Sequence, residues 1–142
     1  MSAAVLTANM KVHHVAYVVR SNEEKMAQLA GLFGCRPAGP SVIDEFQGVK
    51  IQFVELADGS LIELLEPHGE KSPVQRHLQK GGGIYHICFE VEDLEGTLEH
   101  LRATGNAIIV RNPAPAPAIE NRRVAFILTA DRDLFEFVET AR

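Results

Sequence analysis

Two segments of the chain alternate apolar and polar positions in the manner of half-buried strands: KVHHVAYVV at residues 11–19 and GIYHICFEV at residues 83–91. Successive strand side chains point to opposite faces. In the first segment Val15, Tyr17 and Val19 therefore share one face, and His14, Ala16 and Val18 share the other. In the second, Tyr85, Ile87, Phe89 and Val91 share the apolar face, and His86, Cys88 and Glu90 the opposite one. A helix signal follows each strand. Ser21 and Glu24 have capping-box spacing, Met26, Leu29, Ala30 and Phe33 recur as one apolar helix face, and Gly34 marks a stop. Asp93 caps the second helix, Leu94, Leu98 and Leu101 line its buried side, and Gly105 ends it.

Further strands complete each half. Residues 49–56 and 61–65 predict a hairpin around Ala57-Asp58-Gly59, since Asp-Gly favours a tight turn. Residues 107–110, 122–128 and 133–138 are their counterparts. Ser72-Pro73 is read as the cap and first turn of a short linking helix, anchored by Val74 and Leu78 and ended by Gly81. Asn112 to Pro117 holds three prolines, which lack the donor that a central strand needs, so it is expected as an extended loop, either a wall of the site or a plain connector. The chain thus reads as one β-α-β-β-β unit written twice within a single α+β domain at 11–140, preceded by a flexible tail at 1–10. The modules fall at about 11–67 and 84–140.

Composition narrows the class. The 142 residues are 46% hydrophobic and 23% charged, an ordinary globular profile with room for a sizeable core. No apolar run reaches the roughly 18–20 residues of a membrane span. The formal charge of −5, without any Lys/Arg block, argues against a nucleic-acid partner or an anionic membrane surface. Cys35 and Cys88 do not make a disulfide framework, and the first ten residues lack a basic stretch of the secretory kind, so the expected location is the cytoplasm.

The candidate chemistry lies in the polar residues set inside apolar strands. His14 and His86 hold equivalent places in the opening strands of the two halves. Glu63 lies between Ile62 and Leu64, and Glu136 between Phe135 and Phe137, in the closing strands. The spacing repeats as well: 49 residues separate His14 from Glu63, and 50 separate His86 from Glu136. An ionised carboxylate in apolar surroundings costs several kcal/mol unless it gains a partner. No Lys or Arg stands at the facing positions of those strands. A divalent cation would partner both glutamates, with two neutral imidazoles completing the set. Such a donor set suits zinc, nickel, cobalt, manganese or iron without choosing among them. His13 points to the face opposite His14, while His68, His77 and His100 are expected at the surface. Cys88 reads as a small buried filler.

The stretches HHVAYVV, LIELLEP, GIYHICFEVEDL and LFEFVE resemble the vicinal oxygen chelate superfamily, which includes glyoxalase I, bleomycin-resistance proteins, extradiol dioxygenases and methylmalonyl-CoA epimerase. The resemblance runs from Lys11 to Glu139. It implies two βαβββ modules forming a cupped mixed sheet around a divalent metal, with helices on the outer face and His14, Glu63, His86 and Glu136 at the ligand positions. FQGVKIQFVEL and ELLEP followed by GEKSPVQRHLQKGGGIYHI are similar to the epimerase branch. Glu63 stands where some epimerases have Gln and bacterial glyoxalase I has Glu. Tyr85 replaces a usual second His, and PAPAPAIENRRVAFIL differs from the epimerase norm.

The reaction suited to such residues is removal of a proton beside a thioester or ketone carbonyl, with Glu63 and Glu136 as either the acid–base pair or metal holders only. The leading expectation is an epimerase or isomerase of the methylmalonyl-CoA type. The alternatives are a glyoxalase I-type isomerase and a non-catalytic binding or resistance protein. A small-molecule substrate, with an acyl-CoA as one class, and a homodimer are the expected partners. Lys71, Arg76, Lys80, Arg111, Arg122 and Arg123 are candidate contacts for CoA phosphates.

Overall fold

The computed structural model describes residues 9–141. Residues 1–8 of the expected N-terminal tail lie outside the described residues. The chain is α+β, with nine strands and three helices among the described residues. It divides into two compact units, residues 14–85 and residues 86–141 with the short stretch 9–13.

In the first module, β1 (Lys11–Val18) leads to α1 (Asn22–Phe33), then β2 (Arg36–Pro37), β3 (Val42–Asp44), β4 (Val49–Glu55) and β5 (Leu61–Pro67). Its strands run in the order β2-β4-β5-β1, and β3 also pairs with β4. β1 lies parallel to β5 with Ala16 opposite Glu63, and β4 lies antiparallel to β5 with Phe53 opposite Glu63. The β4–β5 hairpin closes as expected: Gly59 has φ +86°, and Asp58 Oδ1 accepts from the Ser60 amide at 2.9 Å. That bond holds the Asp58 carboxyl below the usual carboxylate range. At α1, Ser21 Oγ accepts from the Glu24 amide at 3.1 Å, and Gly34 closes the helix at φ +71°.

One feature of α1 differs from expectation. Met26 and Leu29 pack on the core of Val19, Cys35, Val54 and Leu64, but Ala30 and Phe33 are exposed. Cys35, just past the helix, takes the buried place expected for Phe33, so the last turn carries Leu32 and Phe33 into solvent. β2 and β3, of two and three residues, are too short to show alternation in the sequence.

The linking helix α2 (Gln75–Gln79) starts later than Ser72-Pro73 suggests. Ser72 does not cap it. Its hydroxyl donates to the Gly48 carbonyl, which ties the linker to the start of β4. Val74 is buried as expected. The glycines that follow have a steric cause at one position. A Cβ on Gly82, at φ +70°, would stand 2.7 Å from the Val18 carbonyl oxygen. Gly82→Ala is therefore expected to lower stability by about 2 kcal/mol or more, through backbone overlap added to left-handed strain. Chemical denaturation checks this, and an unchanged midpoint would refute it.

The second module follows the same plan: β6 (Gly83–Val91), α3 (Leu94–Ala103), β7 (Ala107–Ala116), a 3₁₀ turn at Pro117–Ile119, β8 (Arg122–Thr129) and β9 (Leu134–Glu139). Its order is β6-β9-β8-β7. β6 lies parallel to β9 with Cys88 opposite Glu136. Asp93 Oδ1 accepts from the Gly96 amide at 3.0 Å, and Leu94 and Leu98 enter a core with Val91, Ala125, Ile127 and Phe137. Each module therefore has its own apolar core beneath its own helix.

The proline stretch corrects a second expectation. It is strand, not loop: β7 continues through Asn112–Ala116, with register shifts between Ile109 and Arg111 and between Arg111 and Ala114. β7 ends the module's strand order and pairs only with β8 among the described residues. An edge strand bonds on one side, so prolines and bulges are tolerated there as they are not in a central strand.

Candidate functional site

Strand phase places each candidate as the sequence suggests. His14, Ala16 and Val18 are buried on the face of β1 opposite Tyr17, which packs toward α1. His14 sits two residues before Ala16, the partner of Glu63, so imidazole and carboxylate are diagonal neighbours across parallel strands. Their closest atoms, His14 Nε2 and Glu63 Oε1, are 3.3 Å apart. The second module repeats this. His86 sits two residues before Cys88, the partner of Glu136, and His86 Nε2 lies 3.1 Å from Glu136 Oε1. All four side chains are buried, at 0% and 4% exposure for the histidines and 4% and 3% for the glutamates. The structure thus brings together His14 with Glu63 and His86 with Glu136, one pair per module.

The matching extends to a residue type that strand reading passed over. Phe53, opposite Glu63, meets the His14 ring edge-on, with centroids 5.2 Å apart and planes at 81°. Phe126, opposite Glu136, meets His86 in the same way at 5.3 Å and 83°. Both rings are nearly buried and wall the imidazoles against water. A signal was present in the sequence, since each phenylalanine stands ten residues before its glutamate.

Other candidates are sorted by their contacts. Cys88 is fully buried, as a filler should be. His68 lies 3.3 Å from Glu45, His77 meets the Tyr85 ring edge-on at 5.1 Å, and His100 is on α3; all three are half-buried rather than fully at the surface. Burial pushes the Tyr85 phenol above its usual pKa. Arg122 is committed to Glu90 and the Glu139 carbonyl, and Arg123 to Glu95 and the Glu139 carboxylate. The two carboxylates that grip Arg123 hold its guanidinium above the usual range. These contacts tie both arginines to neighbouring carboxylates. Lys71, Arg76 and Lys80 are exposed, while Arg111 is half-buried over the Phe126 ring.

Comparison with known proteins identifies the family. The profile of the Glyoxalase/Bleomycin resistance protein/Dioxygenase superfamily matches residues 13–126. The chain belongs to that superfamily. It is 36% identical over 119 residues to a mitochondrial methylmalonyl-CoA epimerase of Dictyostelium discoideum, covering 82% of this chain and 69% of that one. It is 33% identical over 123 residues to an ethylmalonyl-CoA/methylmalonyl-CoA epimerase of Cereibacter sphaeroides, covering 85% and 90%. A solved structure of a hypothetical protein from Bacillus halodurans C-125 superposes with TM-score 0.83 at 31% identity, covering 94% and 96%. The methylmalonyl-CoA epimerase of Mycobacterium tuberculosis shares the fold, with TM-score 0.82 at 24% identity over 100% of this chain and 93% of that one. Among the described residues no helix is long and apolar enough to cross a membrane.

Proposed function

We propose that this protein epimerises the carbon beside the thioester carbonyl of a small acyl-CoA, with His14, Glu63, His86 and Glu136 serving one divalent ion. The observation that carries this reading is the buried His–Glu pair repeated in both modules of a chain whose relatives are named methylmalonyl-CoA epimerases. The donor chemistry fits a divalent ion: two imidazole nitrogens and two carboxylates, each buried where a lone ionised carboxylate would be costly. When bound, such an ion supplies positive charge to the carbonyl oxygen on which negative charge develops.

The chain's own residues do the rest. In this reading one of Glu63 and Glu136 accepts the α-proton on a carboxylate oxygen, the C–H bond breaks, and the other glutamate delivers a proton to the opposite face. The overall change is inversion at carbon without oxidation or a leaving group. Phe53 and Phe126 hold the imidazoles edge-on and exclude water that would compete for the base. The same reading takes the modules as one domain at 11–140, acting in the cytoplasm as a homodimer.

The test is exchange of the α-proton of methylmalonyl-CoA with deuterated water. Exchange is expected in the metal-loaded protein, should stop on chelation, and should return when cobalt, nickel, manganese, zinc or iron is restored. Exchange that persists after chelation, or none with any of these metals, overturns the proposal. Glu63, a carboxylate in place of an amide, favours a second reading as a glyoxalase I-type isomerase. Assay of a glutathione hemithioacetal beside methylmalonyl-CoA separates the two. Ligand binding by metal-free protein without turnover of either compound would mark a binding protein instead.

A further inference from the structure

The two modules match at His, Glu and Phe, but they are built differently a little further along the same strands. In the second module one row of cross-strand partners is Cys88 on β6, Glu136 on β9 and Phe126 on β8; the next row is Glu90, Val138 and Val124. Cross-strand partners share a face, and every second residue of a strand returns to it. Glu90 and Arg122 therefore stand on the face that carries Glu136, turned away from α3. β9 lies between β6 and β8, and the Arg122 side chain reaches across it. Its Nη2 donates to Glu90 Oε2, and its Nε donates to the Glu139 carbonyl at 2.9 Å. One guanidinium thus joins the three strands that bear His86, Glu136 and Phe126. The ion pair is largely withdrawn from water, with side-chain exposures of 12% and 26%. In the first module the places with the same spacing, four residues after His14 and four before Phe53, hold Val18 and Val49, each 1% exposed.

We propose that Arg122 is a positioning residue for the second half of the site: by holding Glu90 and the Glu139 carbonyl it fixes how β6, β9 and β8 stand to one another, and so the aim of His86 and Glu136. This rests on the metal-holding reading of that pair given above. Stability alone does not require an ion pair here, since well-packed apolar residues at such a place are equally or more stabilising. The first module shows the apolar solution. What the ion pair adds is direction. N–H···O bonds constrain distance and angle, whereas apolar contact is non-directional. Between the clamp and the His86–Glu136 pair lie Val124, Val138 and Cys88, all 0% exposed. A close-packed interior of this kind passes on a strand shift rather than absorbing it.

The test compares Arg122→Met, Arg122→Lys and the double variant Glu90→Val/Arg122→Val, which copies the first module. Leu94→Ala, on the helix side of the same module, is the control for lost stability alone. Each protein is followed by its denaturant midpoint, by cobalt(II) affinity and the cobalt d–d absorption band, and by α-proton exchange of methylmalonyl-CoA at saturating cobalt. The double variant is expected to keep the wild-type midpoint, yet to bind cobalt about 10- to 100-fold more weakly with an altered band. In it and in Arg122→Met, kcat should fall by about 10- to 100-fold while KM changes little. Arg122→Lys, which keeps the charge and a donor, should recover part of the loss. Leu94→Ala should lose midpoint but keep the wild-type cobalt affinity and band. Wild-type cobalt affinity, band and exchange in the double variant would overturn the inference. So would cobalt affinity that falls with the midpoint alike in Arg122→Met and Leu94→Ala. If Arg122→Met does not fold, the double variant decides in its place. If the wild type binds cobalt but exchanges no proton, the cobalt measurements still decide, and only the epimerase reading falls. If the wild type binds no cobalt, the metal-holding reading falls and takes the inference with it.

Discussion

Glu136→Gln is expected to reduce α-proton exchange by about 10²- to 10⁴-fold, the range that a positioned general base contributes. The amide keeps an oxygen in place of the carboxylate oxygen that lies 3.1 Å from His86 Nε2, and it preserves side-chain volume at a site that is 3% exposed. The fold should therefore persist, with Phe126 still against His86. What the amide does not do is accept a proton at neutral pH. Metal content must be measured in the same samples. If the variant binds less metal but regains full exchange in excess metal, Glu136 is a ligand only. If exchange stays low in metal-saturated protein, the carboxylate takes part in proton transfer. Near wild-type exchange without added metal would remove Glu136 from the chemistry altogether.

The largest expected effect on stability lies in the second core. Leu94 is 1% exposed at the first turn of α3, packed with Val91, Leu98, Ala125, Ile127 and Phe137. Leu94→Ala is expected to destabilise by about 2–5 kcal/mol, the range for a buried leucine that leaves a cavity. Phe33→Ala removes a larger side chain at 70% exposure and should change stability by only about 0.5 kcal/mol. Denaturant midpoints of the two variants test this together. A small loss at Leu94, or a large one at Phe33, would show that the helix faces have been assigned wrongly.

Legibility of the sequence followed the range of the interactions involved. The phase of β1 and β6 was readable because alternation is local, and it set His14 and His86 on the buried face away from the helices. The pairing of each histidine with its glutamate depends on strand register, but the repeat disclosed it by presenting the same spacing twice. The caps at Ser21 and Asp93 and the turn at Gly59 depend on a few adjacent residues and were equally plain. What failed to show depends on tertiary context. Phe33 has the right helical position for burial, yet Cys35 fills the space. Ser72 looks like a cap, but a carbonyl from the β4 entry is within its reach. The prolines of β7 argue against a strand unless the strand is known to lie at an edge, and no local pattern reveals that. The ring contacts of Phe53 and Phe126 were visible only as a second equal spacing.

The edge position of β7 has a consequence for behaviour at high concentration. A strand with one side open offers a template on which a foreign strand can add, the first step toward fibrous assembly. Ile108 and Val110, at 63% and 48% exposure, would make that template adhesive. Beyond them the same strand carries Pro113 and Pro115, which have no N–H to give an incoming chain, and its two register shifts break the regular ladder such a chain would have to match. The residues that hid this strand from sequence reading thus act as gatekeepers, limiting any added strand to the short stretch before Arg111.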